Sequence, residues 1–226
     1  MPLKTSFSKG GGIAKKHEVF LKAMTEVLFC APNCGVEIWA GDKFMQKGKI
    51  VILNGTRCSG KTTTAKALQE RLDDPYFLLD FDRFITMSPE KYFTDGTVDN
   101  RKTVNKSLSI MHHAIKAASN MGINTIVEYI FLNIDTLLEE CVGLLHEYPV
   151  LFVRVTCPLE ELRRREKERG GYIGYCESQI SCLTPQDTYD IKIDTSREDC
   201  VDKIIELLNY PEKFSAFKTL WSQQIQ

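Results

Sequence analysis

From residue 50 the chain runs through an apolar segment, IVILN, into Gly55-Thr56-Arg57-Cys58-Ser59-Gly60-Lys61-Thr62, and then into a stretch with helical spacing. Gly55, Gly60, Lys61 and Thr62 satisfy G-x-x-x-x-G-K-[ST], a pattern that cradles phosphate when it sits between a strand and a helix. The glycines let the loop curl so that backbone N–H groups point inward, and the helix N-terminus adds partial positive charge. Lys61 can reach the β- and γ-phosphates of a nucleoside triphosphate, and the Thr62 hydroxyl suits Mg²⁺. Thr56, Arg57, Cys58, Ser59 and Thr63 complete the candidate nucleotide contacts. A loop of this kind implies a nucleotide and leaves the reaction open.

The reaction must come from residues just beyond the other apolar runs. In LLDFDRF, Asp80 and Asp82 follow such a run, and a carboxylate there can accept the proton of an attacking hydroxyl or hold a magnesium-bound water. Asp82 has the better claim. The two share a side if the strand continues and part if it ends between them. Glu128, in INTIVEYIF, suits a Mg²⁺ shell or an acceptor hydroxyl, but a solvated acid at a strand end explains it equally well. In RRREKERGG, Arg165 and Arg169 lie four apart on one helical face and suit a phosphoryl group, with Gly170, Gly171 and Gly174 providing hinges for a lid. Glu160, Glu161, Glu166 and Glu168 offer the competing reading of a salt-bridged surface. In YDIKIDTSRED, Asp194 and Thr195 can flank an adenine, while Thr195 or Ser196 can simply cap the following helix near Arg197. His112 and His113 read as ordinary helix residues.

Elements to hold these residues are legible. Apolar runs at 50–53, 76–79, 123–127, 150–155 and 189–193 predict five strands, and helical spacing at 61–72, 101–120, 134–147 and 159–169 predicts helices between them. Such alternation predicts an α/β fold, a parallel five-stranded sheet with helices on both faces, whose ligands bind beyond the carboxyl ends of the strands. Residues 1–48 form an N-terminal extension in which Val19, Phe20, Ala23, Met24, Val27 and Leu28 mark an amphipathic helix; residues 49–226 form the main domain. That helix is a candidate surface for a partner or for self-association. With 226 residues and a net charge of −1, the chain has an ordinary globular composition, and the balance argues against nucleic acid. No apolar stretch is long enough to span a membrane and no signal core is evident, so a cytoplasmic setting is expected. Eight cysteines without a C-x-x-C spacing are expected to be free thiols.

The ordered set VILNGTRCSGKT, LLDFDRFI, IVEYIFLN, LFVRVTCP followed by RRREKERGG, and YDIKIDTS resembles the chloramphenicol phosphotransferase-like family of P-loop kinases, from about Lys49 to Leu208. The resemblance implies a P-loop NTPase/kinase sheet and an enzyme that uses ATP and Mg²⁺ to phosphorylate a hydroxyl. It assigns phosphate and metal roles to Lys61 and Thr62, the general base to Asp82 and a lid to Arg165 and Arg169. Two departures matter. Gly170 is followed by Gly171 and Tyr172, where the family lid continues into another Asp-Arg pair, and Glu128-Tyr129 stands where a pair of acids is often seen.

The expected activity is transfer of the γ-phosphate of ATP to the hydroxyl of a small molecule, whose pocket would be walled by residues 84–100, including Phe84, Met87, Tyr92 and Phe93. A nucleotide sugar, an RNA end or a protein as acceptor, and a nucleotide-dependent binding module with little catalysis, are the alternatives.

Overall fold

A computed structural model describes residues 46–91, 100–132, 136–170, 173–183 and 188–225. The extension up to residue 45 lies outside the described residues, and with it the amphipathic helix, Cys30 and Cys34.

Five strands form one parallel sheet: β1 (Ile50–Asn54), β2 (Tyr76–Asp80), β3 (Asn124–Tyr129), β4 (Val150–Thr156) and β5 (Ile191–Asp194). Their spatial order is β2-β3-β1-β4-β5. β1 is central and pairs with both β3 and β4, and every residue of it is buried. A strand covered on both faces has no use for polar alternation, which is why IVIL reads as a continuous apolar run.

Alternate residues of each strand serve opposite faces. Ile50, Ile52, Val127, Tyr129, Val150 and Phe152 join one cluster with α3 (Asn100–Asn120), α4 (Leu137–Leu145) and α8 (Ala216–Gln224). Val51, Leu53, Ile126, Leu151, Val153 and Val155 join the other with α1 (Lys61–Arg71) and α7 (Cys200–Leu208). The sheet is therefore covered on both faces, as expected.

The remaining described helices are α2 (Phe81–Thr86), α5 (Leu159–Arg169) and α6 (Tyr175–Ser178), with a 3₁₀ turn at Pro211–Lys213. The sequence pattern missed α2, because six residues are too few to show a period. It also missed α8, whose short apolar face packs on α4 and β4. Cys58, Cys141, Cys157, Cys176, Cys182 and Cys200 are free thiols. Among the described residues no helix is long and apolar enough to cross a membrane.

Candidate active site

The chain leaves β1, turns through the glycine-rich loop and enters α1 at Lys61, with β3 and β4 on either side. Crossovers depart in opposite directions at this point, so a crevice opens at the carboxyl end of β1. The loop is tightly seated. A Cβ on Gly55 would lie 2.4 Å from the Val155 carbonyl oxygen, and one on Gly60, where φ is +101°, would lie 2.8 Å from Thr195 Oγ1. Only glycine fits either position. Cys58 adopts φ +63°, uncommon for a residue with a side chain, and its strain is held by the surrounding contacts.

Beneath the loop, buried Asn54 accepts from the Phe131 N–H at 2.7 Å and donates from Nδ2 to Tyr189 Oη at 2.7 Å. These bonds tie the mouth of β1 to the segment after β3 and to the entry of β5. Sequence reasoning missed Asn54, although a lone Asn closing an apolar run just before the loop was a usable signal. It also missed Gln179, whose Oε1 accepts from the Arg57 N–H at 2.9 Å and braces the loop.

Lys61 Nζ donates to the carbonyl oxygens of Gly55 at 2.8 Å and Thr56 at 2.9 Å, which leaves one of its three N–H groups uncommitted. Burial pushes its pKa down to about 8, against the opposing pull of Glu128 and Asp82. Thr62 Oγ1 donates to Glu128 Oε2 at 2.7 Å. Glu128 is buried at 5% exposure, and desolvation raises its pKa while the Thr62 hydrogen bond opposes the rise. Its second oxygen, Oε1, is buried and has no hydrogen-bond partner among the described residues. A buried carboxylate oxygen left over beside a threonine hydroxyl fits a divalent cation or its water. No cluster of three or more His, Cys, Asp or Glu suited to a metal occurs among the described residues. Mg²⁺ bound mainly through nucleotide phosphates needs no such cage.

β2 ends at Asp80, which pairs in register with Glu128. Asp80 Oδ1 then caps α2 by accepting from the Asp82 N–H at 2.8 Å. The two aspartates therefore part, Asp80 as the helix cap and Asp82 in the first turn of the helix, yet both line the cleft. Asp82 is close enough to Lys61 and Glu128 for its charge to be felt at both.

Across the cleft, Arg165 and Arg169 on α5 also line the wall. Arg165 is tied down: Nε to Glu161 at 2.7 Å, and Nη1 to Thr195 Oγ1 at 2.9 Å. Arg164 lines the cleft as well but is half exposed and pairs with Glu161 and Glu168, and Arg163 pairs with Glu177 of α6. Arg169 has no ion pair among the described residues. Glu166 is no surface acid. It is buried, and its carboxylate accepts from the N–H groups of Gly174 at 2.8 Å and Cys176 at 2.7 Å, folding the chain back after α5.

Three expectations need correction. Asp194 accepts from Ser196 N–H and Oγ, and of the Asp194-Thr195 pair only Thr195 lines the cleft. The helix after this loop starts at Cys200 behind Asp199, later than the Thr195 or Ser196 cap read near Arg197. The described part of the wall placed at residues 84–100 also shifts, residues 92–99 lying outside the described residues. Phe84 packs on the core and Met87 is 71% exposed, while Phe81 and the α3 face of Arg101, Val104, Asn105 and Leu108 line the cleft; Tyr92 and Phe93 lie outside the described residues. Of the candidate loop residues, Arg57, Cys58, Gly60, Lys61, Thr62 and Thr63 line the cleft, while Gly55, Thr56 and Ser59 lie behind them. His112 is fully buried with Nε2 3.0 Å from Tyr129 Oη, the structural role expected of it.

A parallel sheet in the order 2-3-1-4-5, with this loop after β1 and two arginines opposite, defines a P-loop kinase. Residues 48–209 match the family model described as chloramphenicol phosphotransferase-like protein, and the chain belongs to that family. Among curated proteins none matches in sequence.

Solved structures share the fold. A sugar kinase from Janibacter sp. HTCC2649 is 21% identical with a TM-score of 0.56, over 74% of this chain and 98% of its own. Mycobacterium tuberculosis APS kinase CysC, in complex with AMPPNP and APS, is 18% identical with a TM-score of 0.56, over 72% and 98%. The Deinococcus radiodurans tunicamycin resistance protein is 20% identical with a TM-score of 0.55, over 72% and 96%.

Proposed function

We propose that the chain is an ATP- and Mg²⁺-dependent phosphotransferase that moves the γ-phosphoryl group onto the hydroxyl of a small molecule. One observation carries this reading. Lys61 and Thr62 of α1, Asp80 at the end of β2 and Asp82 just beyond it, Glu128 of β3, and Arg165 and Arg169 of α5 face one cleft of about 1090 Å³. That volume stands at the upper end of the usual range for a ligand pocket and leaves room for a nucleotide and an acceptor side by side.

In this reading the loop N–H groups and the uncommitted N–H of Lys61 hold the phosphates. Thr62 and Glu128 would hold Mg²⁺, which would supply neutralisation of phosphate charge. Asp82 orients the acceptor hydroxyl and takes its proton as the oxygen bonds to the γ-phosphorus and the bond to the β–γ bridging oxygen breaks, releasing ADP. Arg165 and Arg169 stabilise charge on the transferring group. The acceptor lies along Phe81 and the α3 face, where Val104 and Leu108 can pack a hydrocarbon body and Asn105 can orient it. A catalytic domain of residues 49–226 preceded by an extension of residues 1–48, and a cytoplasmic setting, belong to the same proposal.

The test is incubation of the full chain with ATP, Mg²⁺ and a library of hydroxyl compounds, with products read by mass spectrometry. A compound gaining one phosphate in step with ADP supports the reading. Free phosphate alone would mark a nucleotide hydrolase, and no turnover would contradict catalysis.

A further inference from the structure

Arg165 and Arg169 line the cleft from one helix, four residues apart, and a symmetric lid would give them equal roles. Their surroundings differ. Thr195 Oγ1 donates its single proton to the Ser59 carbonyl at 2.7 Å, so its lone pairs are left to accept, and one of them accepts from Arg165 Nη1 at 2.9 Å. Arg165 Nη2 also approaches the Thr195 carbonyl at 3.4 Å, and the Thr195 N–H is itself held by Thr156 O at 2.8 Å. The threonine thus bonds to the phosphate-binding loop, to the end of β4 and to the lid helix at once. Its contact with the loop is close enough to exclude any side chain at Gly60.

We infer that Thr195 is a positioning residue that makes Arg165 a fixed part of the phosphate cradle, whereas Arg169 has no such tether. This inference rests on the phosphotransferase reading and adds a division of labour to it. A guanidinium has five N–H groups. Three of them on Arg165 are engaged by Glu161 Oε1, Thr195 Oγ1 and Thr195 O, which leaves two for a phosphoryl oxygen. A fork held at its base loses little side-chain freedom when it grips an anion. Arg169 lies in the last turn of α5, beside Gly170 at φ +71°, and has no ion pair among the described residues. Arg165 lies one turn earlier in α5, and Thr195 secures it to the loop.

The experiment compares the affinities of Mg-AMPPNP and Mg-ADP by calorimetry, because the difference between them reads the grip on the γ-phosphoryl position and requires no acceptor. Thr195→Val keeps the shape of the side chain and removes both hydrogen bonds. It is expected to lose about tenfold of the preference for AMPPNP, the scale of one hydrogen bond to a charged group, with little change in ADP affinity. Thr195→Ser restores the hydroxyl and should restore the preference, also controlling for a valine variant that folds poorly. In an Arg165→Ala background, Thr195→Val should add nothing, whereas with Arg169→Ala the two effects should add.

A merely structural threonine would weaken both ligands equally, and that result overturns the inference. So does a wild type that binds both equally, or a Thr195→Val protein that keeps the wild-type preference. A wild type that binds neither nucleotide defeats the phosphotransferase reading itself, and this inference with it.

Discussion

Thr62 Oγ1 donates to Glu128 Oε2 at 2.7 Å, a bond that joins the first turn of α1 to the penultimate residue of β3. Because β3 lies directly beside β1, the carboxylate reaches the first turn of α1, where an acid can steady the hydroxyl proposed to bind magnesium. Thr62→Ala and Glu128→Gln are each expected to raise the Mg²⁺ concentration for half-maximal turnover by about ten- to a hundredfold. The double variant should be little worse than the poorer single one, since both act on one cation. Unaltered Mg²⁺ titrations would remove both residues from the metal role.

Lys61 gives a pH dependence of definite sign. Burial lowers its pKa from 10.5 to about 8, so the folded protein holds fewer protons than the unfolded chain between these values. The contribution of this group to stability therefore rises with pH across that window. Nucleotide phosphates favour the charged ammonium and raise its pKa again. Binding of Mg-ATP at pH 8.5 to 9 should then take up close to one proton, seen as a binding enthalpy that varies with the ionisation heat of the buffer. Affinity should fall as pH rises through about 8, and Lys61→Met should abolish the uptake. Buffer-independent enthalpy in the wild type would contradict a phosphate contact by Lys61.

Glu166 is expected to govern the order of the segment that follows α5. Glu166→Ala leaves the buried Cys176 N–H and the Gly174 N–H without their acceptor, a loss on the order of 1–3 kcal/mol for each buried group. Amide exchange over residues 173–179 should accelerate well beyond that of the sheet. Arg169→Ala in the intact lid should instead lower kcat more than it weakens ATP binding. Wild-type exchange in Glu166→Ala would show that other contacts hold this turn.

Much of this site was legible in the sequence because it follows from local pattern. The loop needs Gly, Lys and Thr at fixed offsets, and buried parallel strands need unbroken apolar runs, so β1 to β5 were readable to within about two residues at each boundary. What remained hidden depends on residues far apart in the chain. Nothing near Thr195 announces that it bonds to Ser59 and Arg165, with sequence separations of 136 and 30. Glu166 reads as one more surface acid in RRREKERGG until the turn after α5 buries it. Arg164 and Arg165 are neighbours with the same chemistry, and both line the cleft; only their partners, Glu161 and Glu168 for one and Glu161 and Thr195 for the other, separate their roles. The split between Asp80 and Asp82 turned on where β2 ends, one residue of difference that propensity does not resolve.

The central claim is that a carboxylate after β2 activates an acceptor hydroxyl, and Asp82→Asn tests it most directly. The substitution keeps the shape of the side chain and removes its ability to take a proton. Single-turnover transfer from γ-labelled ATP, measured beside Mg-ATP affinity, should fall by about 10²- to 10⁴-fold with affinity nearly unchanged. Wild-type transfer in Asp82→Asn would contradict the account and move the role to Asp80 or Glu128, while a matching loss of Mg-ATP affinity, partly rescued by added Mg²⁺, would make Asp82 a magnesium-shell residue instead.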